Sequence, residues 1–205
     1  MKISFIGAGN VARALATLVH GAGHEVLLGS RDQAQTGALR TGTLEEAASW
    51  GEVVIVAVPF AATRELLPAL REPLRGKIVV DATNPVNNDW SPMLLGEENS
   101  GGEEVARLLP GSRVVKAFNT IFADSMREDR LVREGQRVTC FVASDDSAAA
   151  QMVVRLAEAV GLAATPVGPL KMARLLEAVA HLNIQLAVGM KGGTDAAFIY
   201  HQRRA

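Results

Sequence analysis

Lys2-Ile3-Ser4-Phe5-Ile6-Gly7-Ala8-Gly9-Asn10-Val11-Ala12 follows the initial methionine and settles most of the architecture. A short apolar run meets glycine punctuation, and apolar residues then recur at Val11, Leu15, Leu18, Val19 and Ala22 with helical spacing. The reading is strand, turn, helix. After Gly23 the run Glu25 to Leu28 restores strand character and closes a βαβ unit of the length a parallel crossover needs. Gly7, Gly9 and Ala12 then occupy the three positions of a G-x-G-x-x-G/A fingerprint. Gly7 permits the tight turn, Gly9 lets backbone approach a diphosphate, and Ala12 keeps helix and strand close, with the helix N-terminus facing the anion.

Working outward, Thr43 followed by Glu46 forms a capping-box pattern ahead of a third strand, Val53 to Val58. Strands are also predicted at Ile78 to Asp81, Arg113 to Ala117 and Val138 to Ala143, with helices at Ala61 to Leu70 and Glu103 to Leu109. These strands are continuous Val/Ile-rich runs, as expected for parallel strands covered on both faces. The fold class is therefore α/β, a doubly wound and mostly parallel sheet. Residues 1–167 form the nucleotide-binding domain, and residues 168–205 a small C-terminal helical extension that completes a cleft or a dimer interface; its helical run is Leu170 to Met190. Val86 to Gly102 and Phe122 to Gln136 are expected to be surface loops.

Composition narrows the function classes. The 205 residues are 48% hydrophobic, 4% aromatic and carry a formal net charge of -1, which leaves no basic stripe for a nucleic acid. The longest apolar runs are strand-sized, so no membrane span and a cytoplasmic location are expected. Cys140, the single cysteine, excludes an intramolecular disulfide and a cysteine-built metal site, and reads as a small core residue. No Gly-x-Ser-x-Gly, His-Glu-x-x-His or P-loop pattern occurs. No catalytic acid, base or nucleophile and no metal ligand is therefore assigned. His20 and His24 fall near the end of the first helix and His201 in the charged tail; His181, within the C-terminal helix, reads as a structural histidine.

Ligands of such sheets lie beyond the carboxyl ends of the strands. The second strand ends in Gly29-Ser30-Arg31, where NAD-binding chains carry an acid for the ribose hydroxyls. A hydroxyl and a guanidinium suit a 2′-phosphate instead, so NADP(H) is favoured over NAD(H). The competing reading is a solvated Arg31 beside Asp32. Pro59 is placed to shape the wall beside the cofactor's centre, and Asn84 and Asn119 to hydrogen-bond the nicotinamide amide or its ribose, although Asn84-Pro85 is equally a turn former.

Together with Val114-Val115-Lys116-Ala117-Phe118-Asn119-Thr120, Asp81-Ala82-Thr83-Asn84-Pro85 and Gly168-Pro169-Leu170 followed by Ala173-Arg174, these motifs resemble the F420:NADP oxidoreductases over almost the whole chain. The resemblance implies a Rossmann domain, often dimeric, that passes a hydride between NADPH and the deazaflavin coenzyme F420, with flavin-reducing relatives and others serving metal-reductase membrane proteins. It also implies residue roles: Gly9, Asn10 and Val11 at the pyrophosphate, Ser30 and Arg31 at the 2′-phosphate, Val58 and Pro59 at the middle of the cofactor, Asn84, Ala117 and Asn119 at the nicotinamide end. The expected partner is a small-molecule redox acceptor, F420 or a flavin, and the expected assembly a homodimer. The alternative is an NADP(H)-binding sensor without turnover.

Arg31→Ala is expected to weaken NADPH binding far more than NADH binding in a titration; equal losses for the two would contradict the 2′-phosphate assignment.

Overall fold

The computed structural model describes residues 1–31 and 39–203. The chain runs β1 (Lys2–Ile6), α1 (Asn10–Gly21), β2 (Glu25–Gly29), β3 (Arg40–Gly42), α2 (Leu44–Trp50), β4 (Val53–Val56), α3 (Phe60–Ala69), α4 (Arg71–Leu74) and β5 (Ile78–Asp81). It continues through α5 (Gly101–Leu108), β6 (Arg113–Lys116), the hairpin β7 (Val132–Arg133) and β8 (Gln136–Arg137), then β9 (Thr139–Ser144), α6 (Ser147–Ala159), β10 (Ala163–Gly168) and α7 (Ala173–Ile184). Eight strands share one sheet in the order β10-β9-β6-β5-β4-β1-β2-β3. The stretch β3-β2-β1-β4-β5-β6 is parallel throughout, the strand order of a dinucleotide-binding Rossmann sheet; successive strands are added outward on one side of β1 up to β3 and on the other side from β4. β9 joins β6 antiparallel and pairs with β10 in parallel. The expected mostly parallel, doubly wound sheet is what the chain forms.

Strand alternation separates two cores. Ile3, Phe5, Leu28, Ile55 and Val80 face one way, against Leu15, Ala16 and Val19 of α1 and Val153 and Leu156 of α6. Ile6, Leu27, Val54, Val56 and Val79 face the other way, against Ala47, Leu67 and Val105 of α2, α3 and α5. Both faces are covered, which is why the strand sequences are apolar without alternation. Each such fully buried aliphatic side chain contributes about 1.5–3 kcal/mol relative to exposure. Cys140 is one of these core residues, and burial pushes its thiol up to about 12. The capping box is formed as expected: Thr43 Oγ1 accepts from Glu46 N at 3.0 Å and Glu46 Oε2 accepts from Thr43 N at 2.8 Å.

Register sets the site. Gly29, Ile6, Val56, Asp81 and Lys116 are successive partners across β2, β1, β4, β5 and β6, so the carboxyl ends of five strands finish in one row. Gly7, Ser30, Ala57, Ala82 and Ala117 are the next residue on each.

Several expectations are corrected. The strand predicted to Val58 stops at Val56, and the helix predicted from Leu170 to Met190 is a 3-10 turn, then α7, then a π turn over Gln185–Gly189. Val86 to Gly102 is not all surface, because Ser100, Gly101 and Gly102 are buried where α5 begins. Phe122 to Gln136 likewise buries Ser125, Met126 and Leu131 and holds the β7–β8 hairpin. That hairpin turns on Glu134 and Gly135, with φ of 51° and 78°, the double left-handed conformation that matches strand twist.

Candidate active site

The turn after β1 is built by what its glycines lack. Gly7 has φ of 120°, and a β-carbon there would collide with the carbonyl oxygen of Ala57, so only glycine lets β1 and the end of β4 approach. Its N–H donates to Gly29 O at 2.9 Å, locking the turn onto β2. Gly9 differs. Its φ is -75°, open to any residue, and a β-carbon would meet nothing within 4 Å. The space left by its missing side chain therefore opens outward, at the N-terminus of α1. Among the described residues no side chain caps that terminus, and its first turn carries no acid, so backbone donors and the positive end of the helix dipole face the opening. Arg13 stands beside it, its Nε donating to Ala8 O at 2.7 Å.

Across the row lies a charge network that the sequence reading did not assign. Lys116, completely buried, donates from Nζ to Asp81 Oδ2 at 2.8 Å and to Thr83 O at 2.7 Å, and pairs with Glu177 Oε1 at 2.8 Å. Asp81 Oδ1 accepts from Thr83 N at 3.0 Å and from Thr83 Oγ1 at 2.7 Å. Glu177 reaches from α7 to the start of α5, accepting from Gly101 N at 2.9 Å and Gly102 N at 3.0 Å. A β-carbon on Gly102 would lie 2.9 Å from Ala173 Cβ and 3.4 Å from Lys116 Cδ, so the paired glycines make the room this approach needs. Burial pushes the Lys116 ammonium toward neutrality, but the carboxylates of Asp81 and Glu177 outweigh it and hold its pKa above the ordinary value of 10.5. The available signal was charge inside apolar runs: Asp81 and Lys116 close two core strands, and Glu177 interrupts a helix-period stretch.

Beyond Lys116 the chain reverses at Phe118, a buried aromatic with φ of 64°. Such a conformation is costly for a bulky side chain and persists because the surroundings fix it. The reversal brings Asn119 to Asn84: Asn84 Nδ2 donates to Asn119 O at 2.7 Å, and Asn119 Nδ2 donates to Asn84 Oδ1 at 2.9 Å and Leu176 O at 3.2 Å. Asn119 Oδ1, also buried, has no hydrogen-bond partner among the described residues. Asn84, Asn119, Asn10 and Val11 line one cleft of about 310 Å³, walled by Phe118 and Ile184.

The remaining predicted residues are not among those that line this cleft. Ala117 is buried beneath it, Val58 packs beside Gly7, and Pro59 is exposed at the start of α3. Ser30 and Arg31 sit at the end of β2, Ser30 N donating to Gly42 O at 3.0 Å and Arg31 exposed; Asp32 lies outside the described residues. His181 bonds through Nε2 to Pro85 O at 3.1 Å, a tie between α7 and the loop after β5. Trp90, Thr194 and Asp124 at the cleft rim went unread in the sequence. Among the described residues, no group of three or more His, Cys, Asp and Glu side chains is gathered as a metal ion requires, and no helix is long and apolar enough to cross a membrane.

Removing one partner of a buried, hydrogen-bonded charge set leaves the others uncompensated, so Lys116→Ala is expected to cost about 3–5 kcal/mol in urea unfolding. Because the folded Lys116 pKa lies above the unfolded one, its contribution is intact at neutral pH and on the alkaline side is lost as pH rises beyond about 10.5. A loss below 1 kcal/mol would contradict the network's role.

Residues 2–85 match the family described as NADP oxidoreductase, coenzyme F420-dependent. The F420-dependent NADP reductase of Methanothermobacter thermautotrophicus is 33% identical over 211 residues, covering 92% of this chain and 90% of that protein. The metalloreductase STEAP3 of Rattus norvegicus is 36% identical over 183 residues, 87% of this chain; the chain spans only 36% of that longer protein. A crystal structure from Arthrobacter sp. FB24, assigned to the F420-dependent NADP reductases, superposes with a TM-score of 0.88 at 28% identity, covering 98% of this chain and all of that one.

Proposed function

Since the chain belongs to the family of F420-dependent NADP reductases and is an NADP-dependent oxidoreductase, we propose that it moves a hydride between NADPH at the glycine turn and a deazaflavin or flavin-like ring in the neighbouring cleft. The observation that carries this reading is the buried, unpartnered Asn119 Oδ1 in a cleft shared with the start of α1. A buried acceptor without a donor costs about 1–3 kcal/mol, and the amide of a nicotinamide is a donor of the right kind.

Gly7 makes the tight turn against the nucleotide, and Gly9, Asn10 and Val11 hold the diphosphate through backbone N–H groups, Gly9 leaving the path clear. Ser30 and Arg31 hold the 2′-phosphate. Val58 and Pro59 line the central part of the nucleotide, and Asn84, Ala117 and Asn119 its nicotinamide end. Bound NADPH supplies two electrons as a hydride from its dihydronicotinamide, which is oxidised while the acceptor ring is reduced and takes any further proton from water. The protein's contribution is to position and dry that transfer, which needs no acid or base of its own. No lysine or arginine is among the described residues lining the cleft, which favours a neutral ring over a small carboxylate or phosphate as the bound group. Residues 1–167 form the nucleotide domain in this reading, and the segment from Gly168 onward closes the cleft through α7.

Asn119→Ala is expected to raise the NADPH dissociation constant about tenfold by fluorescence titration. Unchanged binding would overturn the nicotinamide assignment, and failure of the wild-type protein to oxidise NADPH with FMN or a 5-deazaflavin would overturn the reaction.

A homodimer completes the proposal. Leu175, Leu182, Leu186 and Met190 form an exposed apolar stripe along α7 and its extension, at spacings that keep them on one helical face. A second copy covering this stripe by two-fold symmetry satisfies it. Sedimentation equilibrium is expected to give a dimer for the wild type and a monomer for Leu182→Glu; a wild-type monomer would refute the interface.

A further inference from the structure

The loop after β5 is more ordered by hydrogen bonds than its composition suggests. Val86 bridges Pro92 antiparallel, Asn87 N donates to Ser91 O at 2.9 Å, and Met93 N donates to Pro85 O at 2.8 Å. Inside this closure Asp89 Oδ1 accepts from Ser91 N at 3.0 Å and Ser91 Oγ at 2.6 Å, while Asn87 Nδ2 donates to Ser91 Oγ at 2.9 Å. Every one of these bonds fixes the position of Trp90, whose own N–H donates to Asn87 O at 3.0 Å. Trp90 has φ of 68°, a conformation that costs about 1–3 kcal/mol for a non-glycine residue. It is nevertheless held at the mouth of the cleft with half of its surface, 50%, exposed. An indole kept partly in water, on a strained backbone, beside an apolar cleft has no role in the core.

Resting on the hydride-transfer reading above, we propose that Trp90 is the platform on which the acceptor ring stacks. Three features of the cleft suit a planar ring. Its apolar walls include Phe118, Ile121, Phe122 and Ile184 beside the polar Asn84 and Asn119, its described lining has no cation for an anionic head, and the Asp124 carboxylate that also lines it already accepts from the Thr194 hydroxyl. An indole face adds offset stacking, which is worth about 0.5–1.5 kcal/mol beyond burial. A small aliphatic imine or hydroxy acid gains nothing from such a surface.

The chain contains two tryptophans, and the other, Trp50, lies at the amino end of β1 under Lys2 and Arg40, away from the cleft. Trp90 emission is therefore a separate readout of acceptor binding. With FMN and with a 5-deazaflavin as probes, Trp90→Ala is expected to raise the acceptor KM about tenfold while NADPH affinity stays within about twofold, and Trp90→Phe to recover most of the loss. Titrating FMN into the NADP⁺-loaded protein quenches tryptophan emission in the wild type and in Trp50→Phe; in Trp90→Ala the quench is lost. If Trp90→Ala binds NADPH, turns over both probes with unchanged KM and keeps the quench, the stacking role is wrong and the hydride-transfer reading survives. If the wild type binds NADPH but reduces neither probe and shows no quench, both fall.

Discussion

Lys116 is an ammonium with no access to water, and the ends of β5 and β6, the start of α5 and the middle of α7 are arranged around keeping it charged. Three acceptors from three segments converge on it: a carboxylate ending β5, a carbonyl in the loop just beyond, and a carboxylate from α7. Desolvating such a charge costs several kcal/mol, and the mutual attraction repays this only when geometry and the remaining hydrogen bonds are good. Here they are, because Glu177 spends its other bonds on the first two amides of α5, and Asp81 on Thr83. The consequence is positional rather than energetic. With Lys116 in place, the ends of β5 and β6, the start of α5 and the middle of α7 have one relative arrangement, and Asn84 and Asn119 are carried on it.

The candidate site thus has two halves made by different means. On the β1 side, backbone does the work: a glycine that no other residue can replace sterically, a second glycine that leaves space, and a helix terminus without a cap. On the β5–β6 side, side chains do it: a buried ion network below, an asparagine pair above, and an apolar wall from α7. Register between the strands, Ile6 with Val56, Val56 with Asp81, Asp81 with Lys116, brings the halves to the same level. In the proposed reading a nucleotide spanning this row passes from a polar, dipole-lined end to a more apolar one, which suits a hydride transfer that relies on positioning.

How much of this was legible in the sequence follows from how local each signal is. The glycine turn, the βαβ unit and the capping box at Thr43 and Glu46 are written in adjacent residues and were read correctly. Asn84 and Asn119 were flagged by their place after strands, but their pairing, and the orphaned oxygen it leaves, depends on the left-handed turn at Phe118, which no propensity for phenylalanine predicts. β10 was missed because Pro166 and a half-exposed pattern at a sheet edge obscure strand character, and its ladder is irregular there. α6 was missed although Asp146 caps it and Ala149, Val153 and Leu156 recur at helical spacing; its small residues masked a pattern that was present. The contact of Glu177 with Lys116 joins residues far apart in the chain, and only the folded structure supplies it.

A crystal structure of the protein grown with NADP⁺ tests the central claim most directly. The account predicts continuous density from the amides of Gly9, Asn10 and Val11 to a nicotinamide carboxamide donating to Asn119 Oδ1. Density that leaves the turn empty, or that runs from the turn away from the Asn84–Asn119 pair, would contradict it.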